Sequence, residues 1–460
     1  MRIRELSIAV VIWTLSLCAG CTVFGLLYGK IDLNKTVYIK DQYNRIVQYH
    51  GVNHSNASKY TANNLPWHDG SAYNKLNLEW GFNLVRFQIF WSAVEPKKDS
   101  IDFIYLRGVE KHLAALEELG IDVILDWHQD LYAQQFTGNG MPNWTVHTDG
   151  FPFNQQQPWH MNYKEPAVIA SFTHFWKNAD DIQTQCVDAI GLVMKRFENH
   201  KNIIGIDPFN EPFPGAYVVT FEQQELTNYY IKIQSKLSEM GRGVRLCFEP
   251  CIFATTIPTM LAYEPLASSV YYPHYYDAMI DYGASRKYER LNWRIMKEII
   301  EVRVIEAQRF GTPFMIGEFG MKQGVSGRQK FYDDMMYLSD IYQFGWTVWS
   351  YDPINYNDMG LIDSAGNEQE IMQKLVRTYP QRIAGRKPKW STQKNVFQLT
   401  YEPDLTINEP TVVFIPPRLK NIYVTANQDG PMKFEGGLYQ HQNVGSEKQK
   451  IVVTWDLSDG

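Results

Sequence analysis

The chain has 460 residues, 45% of them hydrophobic and 20% charged, and carries a net charge of -6 at pH 7. That composition can bury a sizeable core and excludes wholesale disorder, and the length allows two domains or one large barrel with a small appendage. The acidic balance without a Lys/Arg run argues against nucleic acid as a partner, and neither a GxxxxGK[ST] phosphate loop nor a convincing dinucleotide fingerprint is present.

Arg2 and Arg4 precede an uncharged apolar run from Leu6 to Tyr28. Positive residues followed by an apolar stretch describe a secretory signal peptide. The run is also near the ~20 residues that span a bilayer, which makes an uncleaved anchor the alternative. A third reading is a lipoprotein, because Leu17-Cys18-Ala19-Gly20-Cys21 resembles a lipobox with Cys18 where an aliphatic residue is usual. All three place the protein outside the cytosol, secreted or membrane-associated, and a cleaved signal over residues 1–29 is the preferred one.

Strand and helix patterns then alternate. Short, mostly apolar runs occur at Gln48 to Asn53, Asn83 to Gln88, Ile121 to Trp127, Ile203 to Phe209, Val244 to Glu249, Ser269 to His274, Phe314 to Phe319 and Trp346 to Trp349. Near-continuous apolar strands of this kind suit a parallel sheet buried on both faces. Tyr105 to Gly120, Val187 to Phe197 and Arg294 to Phe310 have apolar residues at helical spacing. About eight strands in such an alternation close a (β/α)8 TIM barrel, expected here over residues 30–385. The long stretch from Ala133 to Glu165 is rich in Gly, Pro, Asn, Gln and Trp and reads as a binding loop. From residue 386 to 460 the helical patterns stop, and short β runs separated by Pro, Gly and Asp predict a small antiparallel β-sandwich.

Cys247 and Cys251 can pair or remain two reduced core thiols, and no CxxC or His/Cys spacing points to a metal. Sequons start at Asn34, Asn53, Asn56 and Asn143, and Asn53 is a poor acceptor if it lines the site.

Polar residues cluster where the apolar strands stop: Asn53-His54, Arg86, Asp126-Trp127-His128, Asn210-Glu211-Pro212, His274-Tyr275-Tyr276, Glu318-Phe319-Gly320 and Trp349-Ser350. In a (β/α)8 barrel the C-terminal strand ends build the active site, so these clusters point to one shared pocket. Two of them bring glutamates, Glu211 and Glu318, on the fourth and seventh strands. Glycoside hydrolysis needs such a pair, one to protonate the leaving oxygen and one to attack the anomeric carbon. Arg86 is the natural donor to Glu318. The chemistry implies no metal and no organic cofactor.

In that order the residues resemble glycoside hydrolase family 5: Arg86 in Val85-Arg86-Phe87, His128 in Asp126-Trp127-His128, Phe209-Asn210-Glu211-Pro212, His274 with Tyr276, Gly317-Glu318-Phe319-Gly320, and Trp349. Within the family, Gly51 to Lys59, Asp126 to Asp130, Gly140 to Trp144, Tyr272 to Asp277 and Trp349 to Asp352 are similar to the endoglycoceramidases, as is the C-terminal β domain. The resemblance implies a retaining enzyme that hydrolyses the bond between the glycan and the ceramide of a glycosphingolipid, with Glu211 as acid/base and Glu318 as nucleophile. It implies that Asn210 holds the sugar 2-hydroxyl, that His128, Asp130 and Lys59 hold the reducing-end glucose, that Tyr276 or Tyr272 steadies Glu318, and that Trp349 forms the stacking floor. Trp144 and Trp159 are candidate cleft walls. The alternatives are the same fold acting on glucosylceramide or a β-glucan, and a non-catalytic glycan- or lipid-binding barrel. The expected partner is the glycosphingolipid itself, met by a monomer in transient contact with a membrane surface.

Overall fold

The computed structural model describes residues 30–456 apart from 242, 266, 267, 282 and 284. The apolar run at 6–28 lies outside the described residues. After a short strand β1 (Ile46–Val47), eight parallel strands follow: β2 (His50–His54), β3 (Leu84–Ile89), β4 (Asp122–Trp127), β5 (Ile203–Asp207), β6 (Arg245–Phe248), β7 (Val270–Tyr271), β8 (Met315–Ile316) and β9 (Gly345–Val348). They form one sheet in the order β7-β6-β5-β4-β3-β2-β9-β8. Parallel bridges Tyr271–Phe314 and Tyr275–Phe319 join its two edges and close the expected barrel.

Among the described residues, six long helices wrap the strands: α1 (Phe103–Glu118), α2 (Pro166–Trp176), α3 (Ile182–Arg196), α4 (Glu225–Glu239), α5 (Arg290–Phe310) and α6 (Arg328–Tyr342). Helix α1 starts because the Asp102 side chain accepts the free amides of Ile104 and Tyr105, and it buries Leu106, Val109, Leu113 and Leu116 along one stripe. Helix α5 opens with a capping box from Glu289 and Asn292 and stops at Gly311 in the left-handed region.

Inside the barrel, side chains alternate in and out along each strand. Leu84, Ile124, Cys247, Val270 and Met315 pack together as an apolar plug. Two residues further along the chain from three of these stand Arg86, Asp126 and Glu249, in a polar layer that begins where the plug ends.

The C-terminal strands make two antiparallel sheets. One contains β1, β10 (Tyr379–Ile383), β13 (Thr411–Ile415) and β16 (Gly437–His441). The other contains β11 (Gly385–Gln393), β12 (Val396–Pro403), β14 (Ile422–Ala426), β15 (Met432–Phe434) and β17 (Gln449–Thr454). They enclose their own core, including Trp390, Phe397, Leu399, Val413, Ile451 and Val453. This sandwich sits against the N-terminal strand ends, away from the polar layer: Tyr379 Oη donates to the Gly81 carbonyl at 2.6 Å, and Arg382 pairs with Asp122. Phe414 lies over Gly81, where φ is +67° and an added Cβ would stand 2.3 Å from the ring, so only glycine fits. Cys186, Cys247 and Cys251 are all buried and none is in a disulfide.

His54, at the end of β2, points outward from the barrel. Its ring stacks on His68 with centroids 4.8 Å apart, His68 meets His112 of α1 at 5.9 Å, and His112 Nδ1 lies 2.9 Å from Tyr73 Oη. Burial holds all three imidazoles below their ordinary pKa, His68 at about 3 and His112 at about 4. The unfolded chain binds protons at these rings more readily than the folded one. Their stabilising contribution is therefore complete above pH ~6.5 and is lost as pH falls toward the folded values. Thermal midpoints measured from pH 7 to pH 4 should fall steadily, and a His68→Gln/His112→Gln variant should show a shallower slope; equal slopes would contradict this reading.

Candidate active site

The polar layer is organised by Arg86, which is fully buried on β3. Its Nη1 donates to Glu318 Oε1 at 2.6 Å and to Asn53 Oδ1 at 2.9 Å, and stands 2.9 Å from Asp126 Oδ2. Its Nη2 donates to Asp207 Oδ2 at 2.7 Å and to Asn210 Oδ1 at 2.8 Å, with Glu249 Oε1 at 3.4 Å. Burial would push the guanidinium pKa down, but Asp126, Asp207, Glu318 and Glu249 more than reverse that and fix the charge.

Glu318, just beyond β8, is held from two sides, by Arg86 and by Tyr276 Oη, which donates to its Oε2 at 2.7 Å. The Tyr272 hydroxyl instead meets Thr347 Oγ1 at 2.8 Å, so Tyr276 is the tyrosine on Glu318. Glu211 follows β5 with φ at +45°, a left-handed conformation that costs a non-glycine residue on the order of 1–3 kcal/mol. Its Oε1 lies 3.1 Å from His274 Nδ1, and its backbone N–H donates to Glu249 Oε2 at 3.2 Å. One oxygen of Glu211, one of Glu318 and a ring nitrogen of His274 lie within 4.8 Å of one another. That proximity is on the side of the ~5–5.5 Å spacing of retaining glycosidases, against about 6.5–9.5 Å for inverting ones.

His274 also has Nε2 3.2 Å from Glu249 Oε1 and Nδ1 3.7 Å from Glu318 Oε2. Burial would lower its pKa, and the Glu249 and Glu318 carboxyls raise it well above the ordinary value instead. Gly317 leaves it room, because a Cβ there would sit 3.0 Å from the His274 ring. Asn210 is clamped between Arg86 and the Gln129 carbonyl, to which its Nδ2 donates at 3.0 Å.

A second group adjoins the first through Asp126. His128 Nδ1 is 2.7 Å from Asp126 Oδ2, its Nε2 is 3.3 Å from Asp130 Oδ2, and its ring lies parallel to Trp349 at 5.9 Å. Lys59 Nζ pairs with Asp130 Oδ2 at 2.7 Å and sits 4.4 Å over the Trp349 ring. Burial would raise the Asp130 pKa, but Lys59 and His128 hold it well below the carboxylate range. Lys59, Asp130, His128 and Trp349 thus form one charged patch around an aromatic face, beside the glutamate pair.

The site residues expected from the sequence converge here except His54, which points out of the barrel, and the two loop tryptophans. Trp144 packs edge-on against Trp91 and donates to the Glu95 carbonyl at 3.1 Å, whereas Trp159 is half exposed. Asp207 and Glu249, fully buried in the polar layer, were not anticipated. Burial and the adjacent Asp207 carboxylate push the Glu249 pKa well above its ordinary value. Asn53 is fully buried and bonded to Gly317 and Thr347 carbonyls, which leaves its sequon unusable in the folded chain. Among the described residues Asp126/His128/Glu318, Asp207/Glu249/His274 and Glu211/His274/Glu318 bring donor atoms close enough for a metal. In each, however, a cation would compete with the charge of Arg86 or His274.

A parallel barrel with two facing glutamates at the C-terminal ends of its fourth and seventh strands defines a glycoside hydrolase of the retaining kind. The chain belongs to glycosyl hydrolase family 5, whose cellulase model matches residues 41–355. It is 26% identical to endoglycoceramidase I of Rhodococcus hoagii over 76% of this chain and 72% of that protein. It is 22% identical to an endoglycoceramidase of Hydra vulgaris over 80% and 77%. Solved structures of endo-glycoceramidase II from Rhodococcus sp. align with TM-scores of 0.80 and 0.81 at 26% and 25% identity, the second a ganglioside GM3 complex. Each covers 91% of this chain and 99% of its own. Within the family the chain therefore groups with the endoglycoceramidases.

If Glu318 is the attacking carboxylate, Glu318→Gln should lower kcat by roughly a thousandfold or more with the melting temperature retained. Tyr276→Phe, which removes one charged hydrogen bond, should cost about tenfold or somewhat more. Near-normal turnover in Glu318→Gln would remove it from the chemistry.

Proposed function

We propose that the protein is a retaining endoglycosidase that hydrolyses the β-glycosidic bond between the oligosaccharide and the ceramide of glycosphingolipids. The observation that carries the chemistry is the Glu211–Glu318 pair, with Glu318 fixed between Arg86 and Tyr276 and Glu211 beside His274. Glu318 attacks the anomeric carbon while Glu211 gives its proton to the leaving ceramide oxygen. Water then displaces Glu318, with Glu211 now taking the proton, and configuration is retained. Asn210 presents its amide to the sugar 2-hydroxyl. Lys59, Asp130 and His128 bind glucose hydroxyls through charge-assisted hydrogen bonds, and the Trp349 face stacks under the ring. The likeness to endoglycoceramidases across both barrel and sandwich supports ceramide as the aglycone.

The loops at the catalytic end favour approach to a lipid surface. Tyr60 follows β2, Phe151 and Trp159 follow β4, Val218 and Val219 follow β5, and Phe253 and Met260 follow β6; all are large apolar residues exposed to solvent, Val219 at 91%. A chain exported on its apolar run at 6–28 would meet glycosphingolipid headgroups outside the cytosol, touching the membrane transiently as a monomer.

Incubation with gangliosides, neutral glycosphingolipids, glucosylceramide and cellulose separates the readings: release of an intact oligosaccharide with ceramide is expected. Turnover of cellulose or glucosylceramide alone would overturn the ceramide-glycan assignment. Glu211→Ala should lose activity that azide partly restores on an activated aryl glycoside. Val219→Asp with Trp159→Ala should slow hydrolysis of substrate in vesicles far more than hydrolysis of a water-soluble aryl glycoside; an equal effect on both would argue against a lipid-facing rim.

A further inference from the structure

One buried acid in the layer has no part in the double displacement. Glu249 immediately follows β6, two residues beyond the plug residue Cys247, and its side chain is 2% exposed. Its backbone is pinned, because Tyr230 Oη donates to the Glu249 carbonyl at 2.7 Å and accepts its N–H at 3.1 Å. Its carboxyl reaches Glu211 by two routes. Oε2 accepts the Glu211 backbone N–H at 3.2 Å, and Oε1 lies 3.2 Å from His274 Nε2, whose other nitrogen is 3.1 Å from Glu211 Oε1.

A carboxyl oxygen of Glu249 also lies within 4.8 Å of one of Asp207. Two buried carboxyls that face each other need a proton between them. Asp207 Oδ2 already takes two guanidinium N–H groups from Arg86, at 2.7 and 3.2 Å, which favours its anion. Asp207 Oδ1 is buried and receives no hydrogen bond, so it is free to accept one from a protonated Glu249. The groups facing Glu249 are Asp207, Arg86, His274, the Glu211 amide and Tyr230.

We propose that Glu249 is a positioning residue of the reaction: a neutral, buried carboxylic acid that donates to Asp207 and, by holding both the Glu211 backbone and the His274 ring, aims the acid/base carboxyl at the leaving oxygen. Burial and Asp207 raise the Glu249 pKa, consistent with a retained proton; with Glu249 neutral, the Glu318 charge and the Glu211 hydrogen bond remain to raise the His274 pKa. The left-handed backbone at Glu211 explains why such a clamp is needed, since φ of +45° persists only where surrounding contacts enforce it. The inference rests on Glu211 acting as the acid/base, and not on the identity of the aglycone.

The test uses soluble aryl β-glycosides whose leaving groups range from dinitrophenol to phenol. A misaimed acid harms poor leaving groups, which need protonation, and spares good ones. Glu249→Met, which keeps the volume and removes the clamp, should lose about a hundredfold in kcat/KM on phenyl glycosides and well under tenfold on dinitrophenyl glycosides. Glu249→Gln, whose amide supplies both a donor and an acceptor, should stay within about fivefold of the parent with the same pH profile. An equal loss across the leaving-group series in Glu249→Met would show a merely structural role and overturn the proposal. A loss in Glu249→Gln matching that of Glu249→Met would show that a charge is required, and would overturn it too. Should Glu249→Met fail to fold, the Gln pH profile decides: superposable limbs support a neutral acid, and a displaced limb rejects it. Failure of the parent to cleave glycosphingolipid overturns the substrate reading and leaves this test intact.

Discussion

A single buried guanidinium governs the catalytic end of the barrel. Arg86 has no solvent around it and faces Asp126, Asp207, Glu249 and Glu318 within hydrogen-bonding or ion-pair range. Removing the guanidinium itself would leave several buried carboxylates uncompensated, which costs about 3–5 kcal/mol. The fork geometry matters as much as the charge, because separate nitrogens reach Glu318 and Asp207 while Asn53 and Asn210 take the remaining directions. Every other polar group in the layer is placed relative to this one.

The barrel's period-two alternation makes the arrangement possible. Apolar side chains fill its lower interior, and the next inward position after Leu84, Ile124 and Cys247 carries the polar layer. This is why so much was readable from residues alone. All eight strands lie where short apolar runs occur, and Glu211, Glu318, His128, Asn210, His274 and Trp349 each stand beyond a strand end, whereas Arg86 lies within β3, which runs on to Ile89. Lys59 was found only through its resemblance-bearing motif, since it lies in a turn after β2 whose path no strand pattern fixes.

Asp207 and Glu249 escaped notice for a specific reason. Each looks like an ordinary acid at the end of an apolar run, and its partners come from other strands, far away in the chain. The spacing did hold a signal: Glu249 follows Cys247 as Asp126 follows Ile124 and Arg86 follows Leu84. Reading inward positions strand by strand, rather than conspicuous polar clusters, would have exposed it. The choice between Tyr272 and Tyr276 was likewise beyond the sequence, because two tyrosines four residues apart beyond a short strand are separated only by which way the chain turns.

The pairing of β1 with β10 has a consequence for how the molecule can be divided. The strand that leads into the barrel and the strand that leaves it lie side by side in one antiparallel sheet, Ile46 opposite Ile383 and Val47 opposite Arg382. The barrel's entry and exit are stitched together by the appended module, as the ends of a belt are held by its buckle. Cutting the chain near residue 385 would leave β10 without β13, its partner on the other side, and would bare the pocket at Gly81 that Phe414 fills. The sandwich is therefore the closing half of a single folding unit, and a catalytic barrel trimmed of it would carry an open seam at the end farthest from its chemistry.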